Sequence, residues 1–355
     1  MKLLLLLYIL VLLYKDVAYS YPLPVSGVET STPCDEECQK YLVQYGYIDS
    51  GHHRVKDSRY EGTSGPEIGS LLMSTDDILE GIRNLQKDGG IKESGIMDSE
   101  TLNLMQVPRC GNFNRQKRFV ILEGWNTTKN KINETLVTWY FDTSNFKQIN
   151  TKLDLDTIKT VFRTAMSKWS KTSLIELKEV DDERRANITI QFLDGDHGDG
   201  YKFDGPGNIL AHAFYPSQGR RGGDVHFDLG EEWTLWDEQH VGTSLFNVAI
   251  HELGHSLGIG HSSQNNSVMY AWYTPKNIEL SEDDSHAINQ LYGVRPEYKF
   301  GPRGPGPRTT PSPSTPSTLR PSGYTTQKYN MSDFKKLFIQ NSKVFIYPRV
   351  ATLSI

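Results

Sequence analysis

Several protein classes are excluded by what this sequence of 355 residues lacks. There is no basic excess: 38 Lys and Arg stand against 43 Asp and Glu, for a formal net charge of -5. The charge footprint of a nucleic-acid binder is therefore missing, and no long acidic run or internal repeat is present. No stretch after the N-terminus is apolar enough to cross a bilayer, which takes ~20 residues. Cysteine is scarce, with only Cys34, Cys38 and Cys110. An odd number leaves at least one thiol unpaired in an oxidising compartment. Cys34 and Cys38 are close enough to pair on a turn or helix, which leaves Cys110 over.

What is present begins with a leader. Lys2 precedes the apolar run Leu3–Tyr14, and a small-residue exit follows at Ala18, Tyr19 and Ser20. The run is too short to span a membrane, and the pattern is that of a secretory signal peptide over residues 1–20. A secreted, extracellular product with no membrane span is expected. The Asn-x-Ser/Thr sequons at Asn126, Asn133, Asn187, Asn265 and Asn330 agree with that route, as sites open to glycosylation.

Composition divides the rest. Between Cys34 and Met105, helical patterns alternate with glycine-rich turns. In one of them Ile78, Leu79, Ile82 and Leu85 recur at helical spacing, so a small domain of three short helices is expected. A basic run, Arg115–Arg118, then separates residues 21–118 from 119–296, and its position favours a processing site cut between Arg118 and Phe119. Residues 119–296 read as mixed α and β. Leu136–Phe141, Ile175–Val180 and Ile188–Leu193 are expected strands. Between the first two, Ile158, Val161, Phe162, Ala165, Met166 and Trp169 fall on one helical face, with Asp156 positioned to cap its start. A strand, helix and strand in this order suggest a crossover in a partly parallel sheet. Further helices are expected from about Ser244 to Leu257 and from Ser281, where Ser281–Asp284 forms a capping box. Residues 297–328 are a Pro/Ser/Thr/Gly-rich linker. The tail, 329–355, is too short to form a domain alone.

The chemistry is concentrated at His251–His261. His251 and His255 are four residues apart, so a helix places both imidazoles on one face, one turn apart. Neutral imidazoles suit Zn²⁺. Glu252 follows the first ligand and can reach a water at the metal without being a ligand itself, as a general base must. Gly258 lets the chain leave the helix and return His261 as a third ligand. Three protein ligands leave a fourth position open, the mark of a catalytic zinc.

With Met269 in Ser267–Tyr270 as a methionine turn, residues 34–296 resemble the metzincin superfamily. Ser262, directly after the third histidine, is similar to the matrix metalloproteinases (matrixins) rather than to astacins or adamalysins. The resemblance implies an α/β fold: a small helical prodomain, then a catalytic domain with a twisted, mostly parallel five-stranded sheet and three helices. It implies a second, structural zinc held by His197, Asp199, His212 and His226. It implies Ca²⁺ at Asp204, Asp228 and Glu231 with carbonyls of Gly205, Gly207 and Ile209. A second calcium would use Asp224, the carbonyls of Arg220 and Gly222, and Asn187 where the family has an acid. Asn247 and Tyr273 would line the specificity pocket, and Ala271 stands where the family has proline.

Pro108-Arg109-Cys110-Gly111 resembles the family's latency switch, in which Cys110 takes the fourth zinc position. Asn112-Phe113-Asn114 replaces the usual Val-Pro-Asp, so the aspartate partner of Arg109 is missing and a looser latch is expected. After cleavage, the new N-terminus at Phe119 would pair with Asp283 or Asp284. The function implied is a secreted zinc endopeptidase of extracellular matrix proteins, made as a zymogen and activated by a convertase-like protease. Extended peptides adding a strand along 208–216 are the expected substrates, protein inhibitors of the family the expected partners, and a monomer the expected state. A non-catalytic zinc module is disfavoured by the intact Glu252. With no full hemopexin-like propeller, cleavage of native triple-helical collagen is not expected.

Overall fold

The computed structural model describes residues 33–48, 73–114, 124–217, 221–235, 242–275 and 279–296. The leader, the basic site with Arg118 and Phe119, Arg220, the linker, the tail and Asn330 lie outside the described residues.

Six α-helices are described: α1 Glu36–Gln44, α2 Thr75–Asp88, α3 Ser99–Met105, α4 Leu155–Thr172, α5 Leu245–Ser256 and α6 Glu282–Tyr292. Each starts at an Asp or Ser whose side chain accepts a first-turn amide: Asp35, Ser74, Asp98, Asp154, Ser244 and Ser281. Such caps contribute about 1 kcal/mol each by satisfying amides that have no partner inside the helix. The capping box at Ser281 is present, with Asp284 returning the bond. For α4 the cap is Asp154 rather than the expected Asp156. Asp154 is held in extended backbone and binds the Thr157 amide at 2.8 Å, so the helix begins earlier. Asp156 then lies in the first turn, where it favours the positive end of the helix dipole.

The main sheet has the order β1-β5-β6-β4-β2-β3. Its strands are β1 Arg109–Cys110, β2 Thr135–Phe141, β3 Ile175–Glu179, β4 Ile188–Leu193, β5 Ile209–Ala213 and β6 Val225–Asp228. β2 pairs parallel with β3 and β4, β4 parallel with β6, and β5 antiparallel to β6. Strand β2, helix α4 and strand β3 form the crossover read from the sequence. The described residues within 119–296 thus supply five mostly parallel strands of this sheet and three α-helices, and β1 adds a sixth strand from the preceding segment. A short pair, β7 Trp233–Thr234 and β8 Thr243–Ser244, leads into α5.

The six apolar residues read from the sequence on one face of α4 are all buried against the sheet. Trp169 also donates to the Ile250 carbonyl at 3.0 Å, which locks α4 to the central helix α5. Every residue of α5 is buried. A helix so enclosed can carry polar side chains only where they meet partners or a ligand. Helices α1–α3 form a second apolar cluster, in which Leu42, Ile82 and Leu85 pack with Ile209, Tyr270 and Trp272. Cys34 and Cys38 are disulfide-bonded and Cys110 is a buried free thiol.

Candidate metal centres and cleft

Helix α5 delivers His251 and His255 on one face, as the spacing requires. Gly258, at φ +97°, takes a left-handed conformation that a side chain resists, and the chain turns back to present His261. The ring nitrogens are then oriented by carbonyl oxygens. His251 Nδ1 lies 2.7 Å from the Val268 oxygen, His255 Nδ1 2.7 Å from the Ile259 oxygen and His261 Nδ1 2.5 Å from Asn114 Oδ1. Carbonyls only accept, so each Nδ1 carries the proton and each Nε2 keeps its lone pair. The Cys110 sulfur is 3.5 Å from His255 Nε2, which is 3.1 Å from His261 Nε2. The ligand atoms of Cys110, His251, His255 and His261 all lie within 4.8 Å of one another. His251 Nε2 is buried with no hydrogen-bond partner, aimed at this group.

Burial lowers His251 to about 4 and holds His255 and His261 well below the ordinary imidazole value. Neutral imidazoles facing a thiol form a soft N₃S donor set that fits Zn²⁺. Burial, reinforced by Glu252, pushes the Cys110 thiol up, an effect that a bound cation reverses. Glu252 is fully buried, and neither carboxylate oxygen has a hydrogen-bond partner. Burial raises it to about 8.

The methionine turn lies under the helix. A side chain at Gly254 would collide with the Met269 sulfur, so glycine here permits the close approach. Asp284, fully buried, accepts from Ser267 Oγ at 2.5 Å and from the Val268 and Met269 amides at 2.9 and 3.2 Å. Asp283 accepts from Ser262 Oγ at 2.6 Å. One or the other of these acids is the expected partner for a new N-terminus at Phe119, which lies outside the described residues; here Asp284 holds the turn and Asp283 the segment after His261.

In the second cluster, His197 Nε2, His212 Nε2 and His226 Nδ1 lie 2.7, 2.8 and 2.8 Å from one oxygen of Asp199. These four residues also converge within 4.8 Å. Burial favours the neutral acid, but the three imidazoles hold Asp199 well below the usual carboxylate range. Burial brings His212 to about 4. The expected calcium residues are arranged differently. Asp204 accepts from Ile209 N, Asp228 from Gly205 N and Glu231 from Gly207 N at 3.2, 3.0 and 2.5 Å. These bonds shape the loop. Burial raises Glu231 to about 7. At the expected second site, Asn187 Oδ1 accepts from the Thr138 amide and hydroxyl, and Asp224 accepts from Thr189 N.

The cleft is filled by the segment around Cys110. Arg109 N donates to Asn208 O and Gly111 N to Ala211 O on β5, at 2.7 and 2.8 Å. Cys110 N donates to Ala271 O and Tyr273 N to Pro108 O on the opposite wall, at 3.0 and 2.8 Å. The side chain of Asn112 adds bonds to both the amide and the carbonyl of Ala213. Asn247 is bonded to Ser244 Oγ and the Thr274 carbonyl, and Tyr273 OH accepts from Ser244 N, so the two expected pocket residues meet at Ser244.

Arg109 is not left without partners, as the missing aspartate had suggested. It is 1% exposed, and its guanidinium donates to Asn114 Oδ1 at 2.9 Å and to the Tyr41 and Tyr47 hydroxyls. It also stacks 3.9 Å from the Tyr45 ring centre and 4.6 Å from that of Trp272. Asn114 Nδ2 donates to Tyr47 OH and to Asp88, at 2.7 and 3.0 Å. Asn114 thus takes the place of the absent acid. Sequence reading named the positions of Asn114 and Asp284 but missed what their side chains hold, and it missed the aromatic cage. Only the Tyr41, Tyr45, Tyr47 spacing hinted at the cage.

This is the architecture of a metallopeptidase, with two histidines from a helix, a third after a glycine turn and an unpartnered acid beside them. A matrixin family profile matches residues 131–293. The chain is 37% identical over 308 residues to a probable matrix metalloproteinase, 095L, of invertebrate iridescent virus 3, covering 81% of this chain and 84% of that one. It is 37% identical over 278 residues to matrix metalloproteinase-2 of Drosophila melanogaster, covering 75% of this chain and 34% of that one. Against the interstitial collagenase of Sus scrofa it is 34% identical over 346 residues, or 97% of this chain and 66% of that one. The chain belongs to the matrix metalloproteinase family, and it is a zinc metalloendopeptidase. Among the described residues no helix is long and apolar enough to cross a membrane.

Proposed function

We propose that the protein is a secreted zymogen that hydrolyses peptide bonds of extracellular matrix proteins once residues 21–118 are removed. The observation that carries this reading is the convergence of the Cys110 sulfur with three imidazole nitrogens beside a buried, unpartnered Glu252. His251, His255 and His261 hold the zinc, and Cys110 completes its shell in the latent form. Bound zinc supplies the Lewis acid for the scissile carbonyl. Glu252 takes a proton from the attacking water and delivers it to the leaving amine. Its low-dielectric position makes the carboxylate a stronger base than an exposed glutamate. An extended substrate takes the place of residues 108–112 and bonds to β5 and to the 271–273 wall.

His197, Asp199, His212 and His226 hold a second zinc that orders the loop before β5. Asp204, Asp228 and Glu231, carboxylates raised by burial, favour a calcium ion with the carbonyls of Gly205, Gly207 and Ile209. A second calcium at Asp224, Gly222 and Asn187 would compete with the bonds to Thr138 and Thr189. Asn126, Asn133 and Asn265 are exposed and open to glycosylation. A convertase-like protease cutting after Arg118 is the activator, and protein inhibitors of the family are partners of the open cleft. Cys110→Ser tests the latent form. The uncleaved variant is expected to cleave a quenched peptide, and a variant as silent as the parent would contradict the latch.

A further inference from the structure

The zymogen shows what the cleft can hold, because its own chain occupies it. Arg109 bridges Asn208 on one wall and Trp272 on the other, next to the residue whose sulfur meets the histidines. Its guanidinium is covered by four rings: Tyr41, Tyr45, Tyr47 and Trp272. Three of them lie in the segment expected to leave on activation. The Trp272 face, 4.6 Å from the guanidinium carbon, stays with the catalytic unit. Trp272 is 2% exposed, its indole nitrogen is buried without a hydrogen-bond partner, and its ring packs on Tyr270 at 5.2 Å. Departure of the three tyrosines and Arg109 leaves this face open to the cleft, flanked by the Ala271 and Tyr273 backbone groups that bind an extended chain.

We propose that Trp272 is a specificity-determining residue of the processed enzyme. Its ring selects a cationic side chain, arginine or lysine, at the substrate position adjoining the residue that faces the metal. This rests on the peptidase reading above. A cation over an indole face is attracted by the ring's negative quadrupole, more strongly than over phenyl or phenol rings, and the wall excludes water from one side of the pair. An extended backbone held on both walls fixes the side chain over the ring, so little rotamer freedom is lost on selection.

The test uses the processed enzyme and quenched peptides in which arginine, or its neutral isostere citrulline, is moved one residue at a time past the scissile bond. At one position the arginine peptide is expected to show a roughly three- to tenfold higher kcat/KM, carried by KM. Trp272→Ala is expected to bring the ratio of arginine to citrulline cleavage, measured within that variant, to about one, and Trp272→Phe to keep part of the preference. Equal cleavage of the pair at every position, or a gap that survives in Trp272→Ala, overturns the inference. Binding of the same pair to a processed Glu252→Ala variant is measured by calorimetry, so the preference is read without turnover. An arginine preference in binding with no turnover in the parent would keep the subsite and remove the peptidase reading. No preference in binding would remove the subsite whatever the turnover.

Discussion

Truncating Asn114 to alanine should open the latent site with the cysteine and all three histidines left in the chain, although His261 loses its Nδ1 acceptor. In the uncleaved protein its amide accepts from the Arg109 guanidinium at 2.9 Å and donates to the Asp88 carboxylate at 3.0 Å. Both bonds involve a charged partner, and such bonds contribute about 1.5–3 kcal/mol each. The same amide bonds to Tyr47 OH and to His261 Nδ1. Arg109 is 1% exposed, so no solvent replaces the lost acceptor while the segment stays docked. Taking only the lower bound for the two charged bonds gives about 3 kcal/mol, or roughly a hundredfold rise in the open population. The assay is the rate at which a water-soluble disulfide reagent modifies Cys110 in the uncleaved protein. That rate follows the open population when reclosing is fast. A rise near a hundredfold is expected. A rate within threefold of the parent, with the fold intact, would refute the view that Asn114 replaces the missing aspartate.

The same interface should be pH-dependent. Burial raises Asp88 to about 6 from an ordinary value near 4, so its ionised form is disfavoured while the segment is docked. The docked state is therefore most stable below pH 4 and loses stability as pH rises through 6. Asp88→Asn should flatten the melting temperature of the precursor across that window. Asp284→Ala strips a buried acceptor from the methionine turn and should cost about 3 kcal/mol, since each abandoned buried amide costs ~1–3 kcal/mol. Its melting temperature should fall by more than that of Asp283→Ala, and equal effects would count against the buried-acceptor argument.

How much was legible beforehand follows from how local each feature is. The pair His251 and His255, the turn at Gly258 and the return of His261 are fixed by one helix and one glycine, so spacing sufficed. The α4 face was legible because helical periodicity directly encodes one buried side. The capping of α4 was misplaced because Asp154 and Asp156 both suit a helix start, and only the packing of the preceding chain decides between them. The fate of Arg109 was not legible. Its partners come from α1, the turn after it, Asn114 and the far wall of the cleft, and residues so distant in sequence meet only through the fold. Asp283 and Asp284 show the same limit, because their bonds to Ser262 and Ser267 depend on how α6 lies beneath the turn.

In the proposed function, one buried thiol and one buried carboxylate govern a three-histidine zinc centre. The most direct test is zinc content and peptide hydrolysis of the purified protein, before and after cleavage at Arg118, with Glu252→Ala carried in parallel. Bound zinc is expected in every sample, with hydrolysis only in the cleaved parent and its loss on chelation. Zinc-loaded, fully cleaved protein that leaves peptides intact, or a Glu252→Ala variant that cuts them as the parent does, would contradict it.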